Sequence, residues 1–221
     1  MTSEQPIQRL RVVFSIGQPV KYISHLDLMR AWERALRRAQ VGLSYSQGFN
    51  PRPKLVFAAA LPVGFTAQAE IVDVYLEKPM KPEDLAAAVE AQLPAGLKLV
   101  GVTEVPQALP SLPSQVSAAE YRVAVSTDED REQVQRRIDR LLASDSLHRV
   151  RERPGGGREY DLRPLIQKLW LADSETGEIV IGMLLQASAR GTGRPDEVMA
   201  ELGMAQGVRA IRRLSLGLAA G

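Results

Sequence analysis

Two echoes constrain this chain more than any other feature of it. EIV at Glu70–Val72 opens an apolar run, and KPEDL (Lys81–Leu85) follows; EIV at Glu178–Val180 opens another, and RPDEV (Arg194–Val198) follows. Each echo sits at the same place in a similar string of elements. In the first half, RLRVVFSIG (Arg9–Gly17) is bounded by Gly and Pro as a strand is. Ser24 then begins a helix, with Asp27 three residues on as a capping-box-like start. Leu28, Trp32, Ala35, Leu36 and Ala39 form its buried stripe, and Gly42 ends it. PKLVFAAAL (Pro53–Leu61) is a strand, EIVDVYLE (Glu70–Glu77) alternates like a half-buried strand, and KPEDLAAAVEAQL is a helix with Pro82 in its first turn. LKLVGVTEV is the last strand. The order is β-α-β-β-α-β, the ferredoxin-like unit.

The second half repeats that order. EYRVAVS is a strand, and a helix starts near Thr127 with Val134, Ile138, Leu141 and Leu142 as its stripe. HRVRER, PGGG and REYDLRPLIQKLWLA form a ribbon or a long bent strand pair. EIVIGMLLQAS is a strand, RPDEVMAELG a short helix and VRAIRRLSLGL the final strand. The expected fold is α+β: two tandem ferredoxin-like units, 1–105 and 120–221, joined by a Pro/Ser-rich linker at 106–119, with an internal duplication behind the pair.

Composition removes several classes of function. The 221 residues contain no cysteine, which excludes disulfides, thiolate zinc sites and cysteine-ligated iron–sulfur clusters within the chain. The two histidines, His25 and His148, offer no convergent metal site, and no phosphate loop or nucleophile elbow occurs. Asp27, Asp73 and Asp161 are scattered acids without recognisable pairing. Neither a metal nor a cofactor is expected, and the residues assemble no self-sufficient catalytic centre. No run approaches the ~20 apolar residues of a membrane span. MTSEQPIQRL lacks a signal-peptide core, so a cytoplasmic location is expected.

Net charge is only +2, but its distribution is uneven. Between Lys21 and Lys54 seven cations face two acids. Arg30, Arg34, Arg37 and Arg38 lie off the buried stripe of the first helix, on its solvent side. Tyr45, Gln47, Phe49, Asn50 and Arg52 follow in YSQGFNPRPKL. Aromatics interleaved with amides and cations suit single-stranded or looped RNA, and the two X-Pro steps stiffen the backbone. A structured loop beside an ordinary solvated helix face explains the same residues without a ligand. Lys21, Ser24 and His25 are expected to line the same cleft, because the chain enters the helix there. Arg149, Arg151 and Arg153 alternate, so on a strand they share one face, and with Arg158 and Arg163 beside a glycine-rich tip they could follow a phosphate backbone. In RGTGRP, from Arg190, a simple turn and a phosphate-holding helix start are both open.

YISHLDLMR, ERALRRA, YSQGFNPRP and LPVG, extended by PGGGREYDLRPLI and RPDEV, resemble the radical-SAM-linked domain family, a domain of unknown function. It occurs alone or fused to the C-terminus of B12-binding radical SAM proteins. Where that family has a second histidine, as in NPHP, this chain has Arg52. The resemblance implies a radical SAM enzyme as partner. The family's neighbourhood, an RNase of the E/G type and large-subunit ribosomal proteins, implies a role around RNA or ribosomes. The expected function is that of a non-catalytic accessory protein that binds RNA or presents a substrate. Two alternatives stay open: an endoribonuclease on tandem ferredoxin-like domains, with His25 or His148 as base, and a purely protein-binding module. RNA cleavage would mark the first, and nuclease-resistant co-purification without RNA affinity the second.

Overall fold

The structure is a computed structural model that describes residues 7–151, 156–174 and 178–219. It is α+β. The chain divides into two units, Met1–Val116 with Leu218–Gly221, and Ser117–Gly217.

The first unit contains β1 (Gln8–Ile16), α1 (His25–Arg38), β2 (Leu55–Phe57), β3 (Thr66–Leu76), α2 (Pro82–Glu90), β4 (Leu97–Glu104) and the single turn α3 (Leu112–Gln115). Its strands are antiparallel in the order β4-β1-β3-β2. One sheet face, with Leu10, Val12 and Phe14 of β1 and Val72, Val74 and Leu76 of β3, packs with Leu28, Ala31, Trp32, Ala35 and Leu36 of α1 in one core. Trp32 meets Phe14 edge-on at 4.9 Å between ring centroids, a favoured aromatic geometry.

Both ends of α1 follow from local chemistry. The Ser24 hydroxyl accepts from the Asp27 amide at 3.1 Å, satisfying one of the orphan donors of the first turn. At the other end the Gln40 amide donates to the Arg37 carbonyl and the Val41 amide to the Leu36 carbonyl, the Schellman pattern. Gln40 takes the left-handed position at φ 55°. The helix therefore ends at Arg38 with Gln40 as its terminator, two residues before the expected Gly42.

Two further expectations change. Of Pro53–Leu61, only Leu55–Phe57 forms a strand, and Pro53 makes an isolated bridge to Tyr45. Residues 70–76 are buried throughout and do not alternate between core and solvent. The reason is Asp73. It is fully buried, and Arg9 Nε and Arg11 Nε donate to its two oxygens at 2.8 and 2.9 Å. Arg9 in turn donates to the carbonyls of Leu109 and Pro110, and Gln115 Nε2 donates to Pro110. Segment 109–115 thus caps this ion cluster, and Leu112 is fully buried beneath it. The stretch expected as a linker is tied to the first unit through Val116.

The second unit contains β5 (Val116–Val125), α4 (Arg131–Leu142), β6 (His148–Arg151), β7 (Arg158–Asp161), β8 (Ile166–Ala172), β9 (Ile179–Ser188), β10 (Gly191–Thr192), α5 (Pro195–Glu201) and β11 (Val208–Leu218). Setting aside β10 and the separate β6–β7 ribbon, its sheet runs β11-β5-β9-β8. The fourth, first, third and second strands lie side by side, as in the first unit. α4 starts four residues after Thr127, where Asp130 and Gln133 form a full capping box; Thr127 instead accepts from the Glu129 amide in the preceding turn. Val134, Ile138 and Leu141 are its buried stripe. Trp170 lies over Gly182, its cross-strand partner, and a Cβ at Gly182 would overlap the indole. Among the described residues, no helix is long and apolar enough to cross a membrane.

Candidate nucleic-acid interface

YSQGFNPRPKL closes into a hairpin whose base is fully bonded. The Lys54 amide donates to the Ser44 carbonyl at 2.8 Å, and the Ser44 amide donates to Tyr75 of β3 at 2.8 Å. One step further out, Tyr45 bridges Pro53. Beyond that, the Ser46 amide donates to the Arg52 carbonyl at 2.8 Å, and the Arg52 amide returns a bond to the Ser46 hydroxyl at 3.0 Å. Gln47–Pro51 form the tip between Ser46 and Arg52. Gly48 holds φ 128° there, a conformation that side-chain-bearing residues rarely adopt. Phe49 is wholly exposed, and Tyr45, Gln47, Asn50 and Arg52 are exposed around it. A large aromatic in water is ordinarily unfavourable; here it stands on the segment between the bonded Ser46 and Arg52. Lys54, at the base, sits 4.4 Å over the Tyr75 ring.

Arg30, Arg34, Arg37 and Arg38 are all exposed along one side of α1, as their i, i+4 spacing requires. Arg30 pairs with Asp27 at 3.2 Å. Asp27 is held below the usual carboxylate range, first by the Ser24 hydroxyl and then by Arg30. Arg34, Arg37 and Arg38 form no ion pair among the described residues, though the charge of Arg34 also helps to hold Asp27 low. Arg37 and Arg38 also complement the negative end of the helix. From Arg38 the chain needs only five residues to reach Leu43, which bridges Leu76. The arginines without ion pairs and the hairpin base are therefore at the same end of the first unit.

Lys21, Ser24 and His25 lie at the opposite end of α1. Its 14 residues at about 1.5 Å each separate the two ends by roughly 20 Å, so these three do not share a cleft with Arg37, Arg38 and the hairpin tip. The reason is the direction of the helix, which carries the chain away from its own entry point. Lys21 Nζ lies 5.0 Å over Tyr22. The His25 ring packs edge-on against Phe57 at 5.5 Å, and its Nδ1 is buried without a hydrogen-bond partner among the described residues. His148, by contrast, is exposed on β6, 3.3 Å from the Ser146 hydroxyl.

The second basic cluster has a different fate. Arg149 and Arg151 do share a face of β6, but that face meets α5. Arg149 pairs with Glu201 at 2.9 Å, and Arg151 grips both oxygens of Glu197 at 2.9 Å while covering the Tyr160 ring at 4.6 Å. The spacings agree: two residues along a strand cover about 6.8 Å, and four along a helix about 6 Å. Burial, with the bond to Glu197, pushes the Tyr160 phenol up. Arg163 donates to the carbonyls of Leu142 and Ile166. Arg151 and Arg163 thus donate to acceptors of the protein itself. Arg153 lies outside the described residues, as does the side chain of Arg158. The ladder had a signal in the sequence, RVR opposite EVMAE with glutamates four apart. Asp73 had none, since its partners stand more than sixty residues away.

Residues 9–195 match the family described as "Uncharacterized protein conserved in bacteria (DUF2344)", and the chain belongs to it. No curated protein matches it. Its structure is similar to that of a chain in the crystal structure of a Cbf5-Nop10-Gar1 complex, with a TM-score of 0.51 and 11% identity, over 93% of this chain and 49% of that one. A chain of an H/ACA RNP bound to a substrate RNA containing 2′-deoxyuridine aligns with a TM-score of 0.47 and 11% identity, over 93% and 47%. At such identity the first likeness is one of fold, and the second is too loose to argue from. The chain spans about half the length of these structural neighbours.

Proposed function

We propose that this family member is a non-catalytic RNA-binding accessory protein. Its docking face would be the end of the first unit that carries Arg34, Arg37, Arg38 and the 44–54 hairpin. One observation carries the reading: three exposed arginines without ion pairs among the described residues stand at the same end as a bonded hairpin that presents Phe49 to solvent. The arginines supply phosphate contacts, Phe49 and Tyr45 supply stacking surfaces, and Gln47 and Asn50 supply hydrogen bonds. A base closed by three backbone bonds and one bond to the Ser46 hydroxyl limits the entropy lost on binding. Lys21, Ser24 and His25 extend the contact along α1 only for a strand long enough to follow the helix.

The partner enzyme in this reading is a radical SAM protein, on the strength of YISHLDLMR and YSQGFNPRP. This chain has no cysteine, so the thiolates for any cluster come from the partner. We read the two units, with their common strand order, as ferredoxin-like duplicates acting in the cytoplasm. The test is titration of single-stranded RNA at several salt concentrations. Affinity that falls steeply with salt is expected, whereas absent or salt-insensitive binding removes the phosphate contacts. Pull-down of a radical SAM enzyme that survives nuclease tests the partner separately; loss of that capture on nuclease treatment counts against a direct protein contact.

A further inference from the structure

A groove of about 470 Å³ opens in the second unit between the β6–β7 ribbon and the β9–β10 turn. Its volume is that of a small-molecule site. Hydrogen-bond donors come from both walls of it. Arg190 is exposed, and its guanidinium has no acceptor among the described residues. Arg151 gives Nε and Nη2 to Glu197, Tyr160 and the Thr192 carbonyl, which leaves Nη1 without an acceptor among those residues. The Ser188 hydroxyl accepts from Gln186 and from the Arg190 amide, so its own proton remains to be donated. Thr192 also lines the space. Two guanidinium groups and the Ser188 hydroxyl suit the three terminal oxygens of a phosphate.

The lining also includes one acid, Asp161, on the same ribbon as Arg151. Its Oδ1 accepts the amides of Leu147 and Arg163 at 2.7 and 2.9 Å. Those bonds hold its carboxyl below the usual range, so it is ionised at neutral pH. Oδ2 has no donor among the described residues. A carboxylate in the same groove as a phosphate site calls for a ligand that also carries donors, as sugar hydroxyls do. We propose that this groove binds a ribose-phosphate unit, with the phosphate at Arg190 and the Arg151 edge and the ribose hydroxyls at Asp161. The unit could belong to a free nucleotide or to the 5′ end of an RNA. The site lies within the second unit and does not depend on the α1 interface.

The test is calorimetric titration of the full chain with ribose 5-phosphate, with AMP, and with a 5′-phosphorylated RNA tetramer and its unphosphorylated twin. Saturable binding of the phosphorylated probes is expected, and Arg190→Ala should weaken it about tenfold or more. Arg190 is exposed, so that variant should fold as the parent does, checked by its melting curve. Binding of the 5′-phosphorylated tetramer without AMP assigns the unit to an RNA end; binding of AMP and ribose 5-phosphate assigns it to a free nucleotide. The combined variant Arg34→Glu, Arg37→Glu, Arg38→Glu should retain AMP or tetramer binding even if it loses longer RNA. No binding of any phosphorylated probe, measurable and equal binding of the two tetramers, parent-like affinity in Arg190→Ala, or loss of these probes in the α1 variant overturns the proposal.

Discussion

Two arginine groups of the same sequence character end in opposite states. On β6, Arg149 and Arg151 meet Glu201 and Glu197 at strand-to-helix spacing, and their charge is neutralised within the second unit. On α1, Arg34, Arg37 and Arg38 recur at a spacing as regular, yet they face water with no ion pair among the described residues. Arg9 and Arg11 mark the extreme of the first state, closed over a buried Asp73. What separates them is which element lies opposite. A strand face that packs on a helix meets that helix's i, i+4 acids, while the outer side of a helix already packed on a sheet meets solvent. A run of arginines in a sequence therefore points to an external partner only once its internal partners are known.

The comparison breaks first at its extreme. Asp73→Ala would leave Arg9 buried without its counter-ion, and urea denaturation should show a loss of about 3–5 kcal/mol; a loss below about 1 kcal/mol would mean that the cluster is not the closed ion site described here. The ladder comes next. Glu197→Ala should cost about 1–3 kcal/mol by removing the acceptor of a partly buried, charge-assisted pair. Arg151→Met in the same background should then add little, since the two residues act as one pair, and independent losses from the two changes would argue against that pairing.

On the α1 side the expected effects are on binding. Phe49→Ala should weaken single-stranded RNA by about 1–3 kcal/mol while leaving the melting temperature unchanged. An unchanged RNA affinity would remove Phe49 from the docking face. The smallest effect expected is at Gln40. Gln40→Gly should stabilise the protein by about 1 kcal/mol or less, because glycine adopts the left-handed position without strain. Destabilisation instead would show that the Gln40 side chain contributes something beyond its backbone conformation.

Much of the fold was legible because periodicity and caps are local. Ser24, Pro82 and the stripe Leu28–Trp32–Ala35–Leu36 mark their elements without tertiary information. Gln40 was missed because it does what glycine usually does, and Gly42 stood nearby as the expected stop. Residues 70–76 resembled a half-exposed strand because Glu70, Asp73 and Glu77 signal solvent, whereas Arg9 and Arg11 make burial of Asp73 tolerable. The 106–119 stretch has a linker's composition, but its carbonyls, not its side chains, anchor Arg9. Around the candidate interface, the solvent side of α1 could be read from spacing alone. The hairpin's bonded closure could not, and neither could the neutralisation of Arg151 by a helix some forty-five residues on.

The central claim is that the arginines of α1 that form no ion pair, and not those of β6, hold the internal phosphates of single-stranded RNA. The direct measurement is the salt dependence of single-stranded RNA affinity for three proteins: the parent, Arg34→Glu/Arg37→Glu/Arg38→Glu, and Arg149→Gln/Arg151→Gln. The account predicts that the α1 variant loses most of its affinity and about two units of log–log salt slope, while the β6 variant melts earlier but keeps the parent's slope. An α1 variant that binds like the parent, or a β6 variant that loses the slope instead, would contradict it.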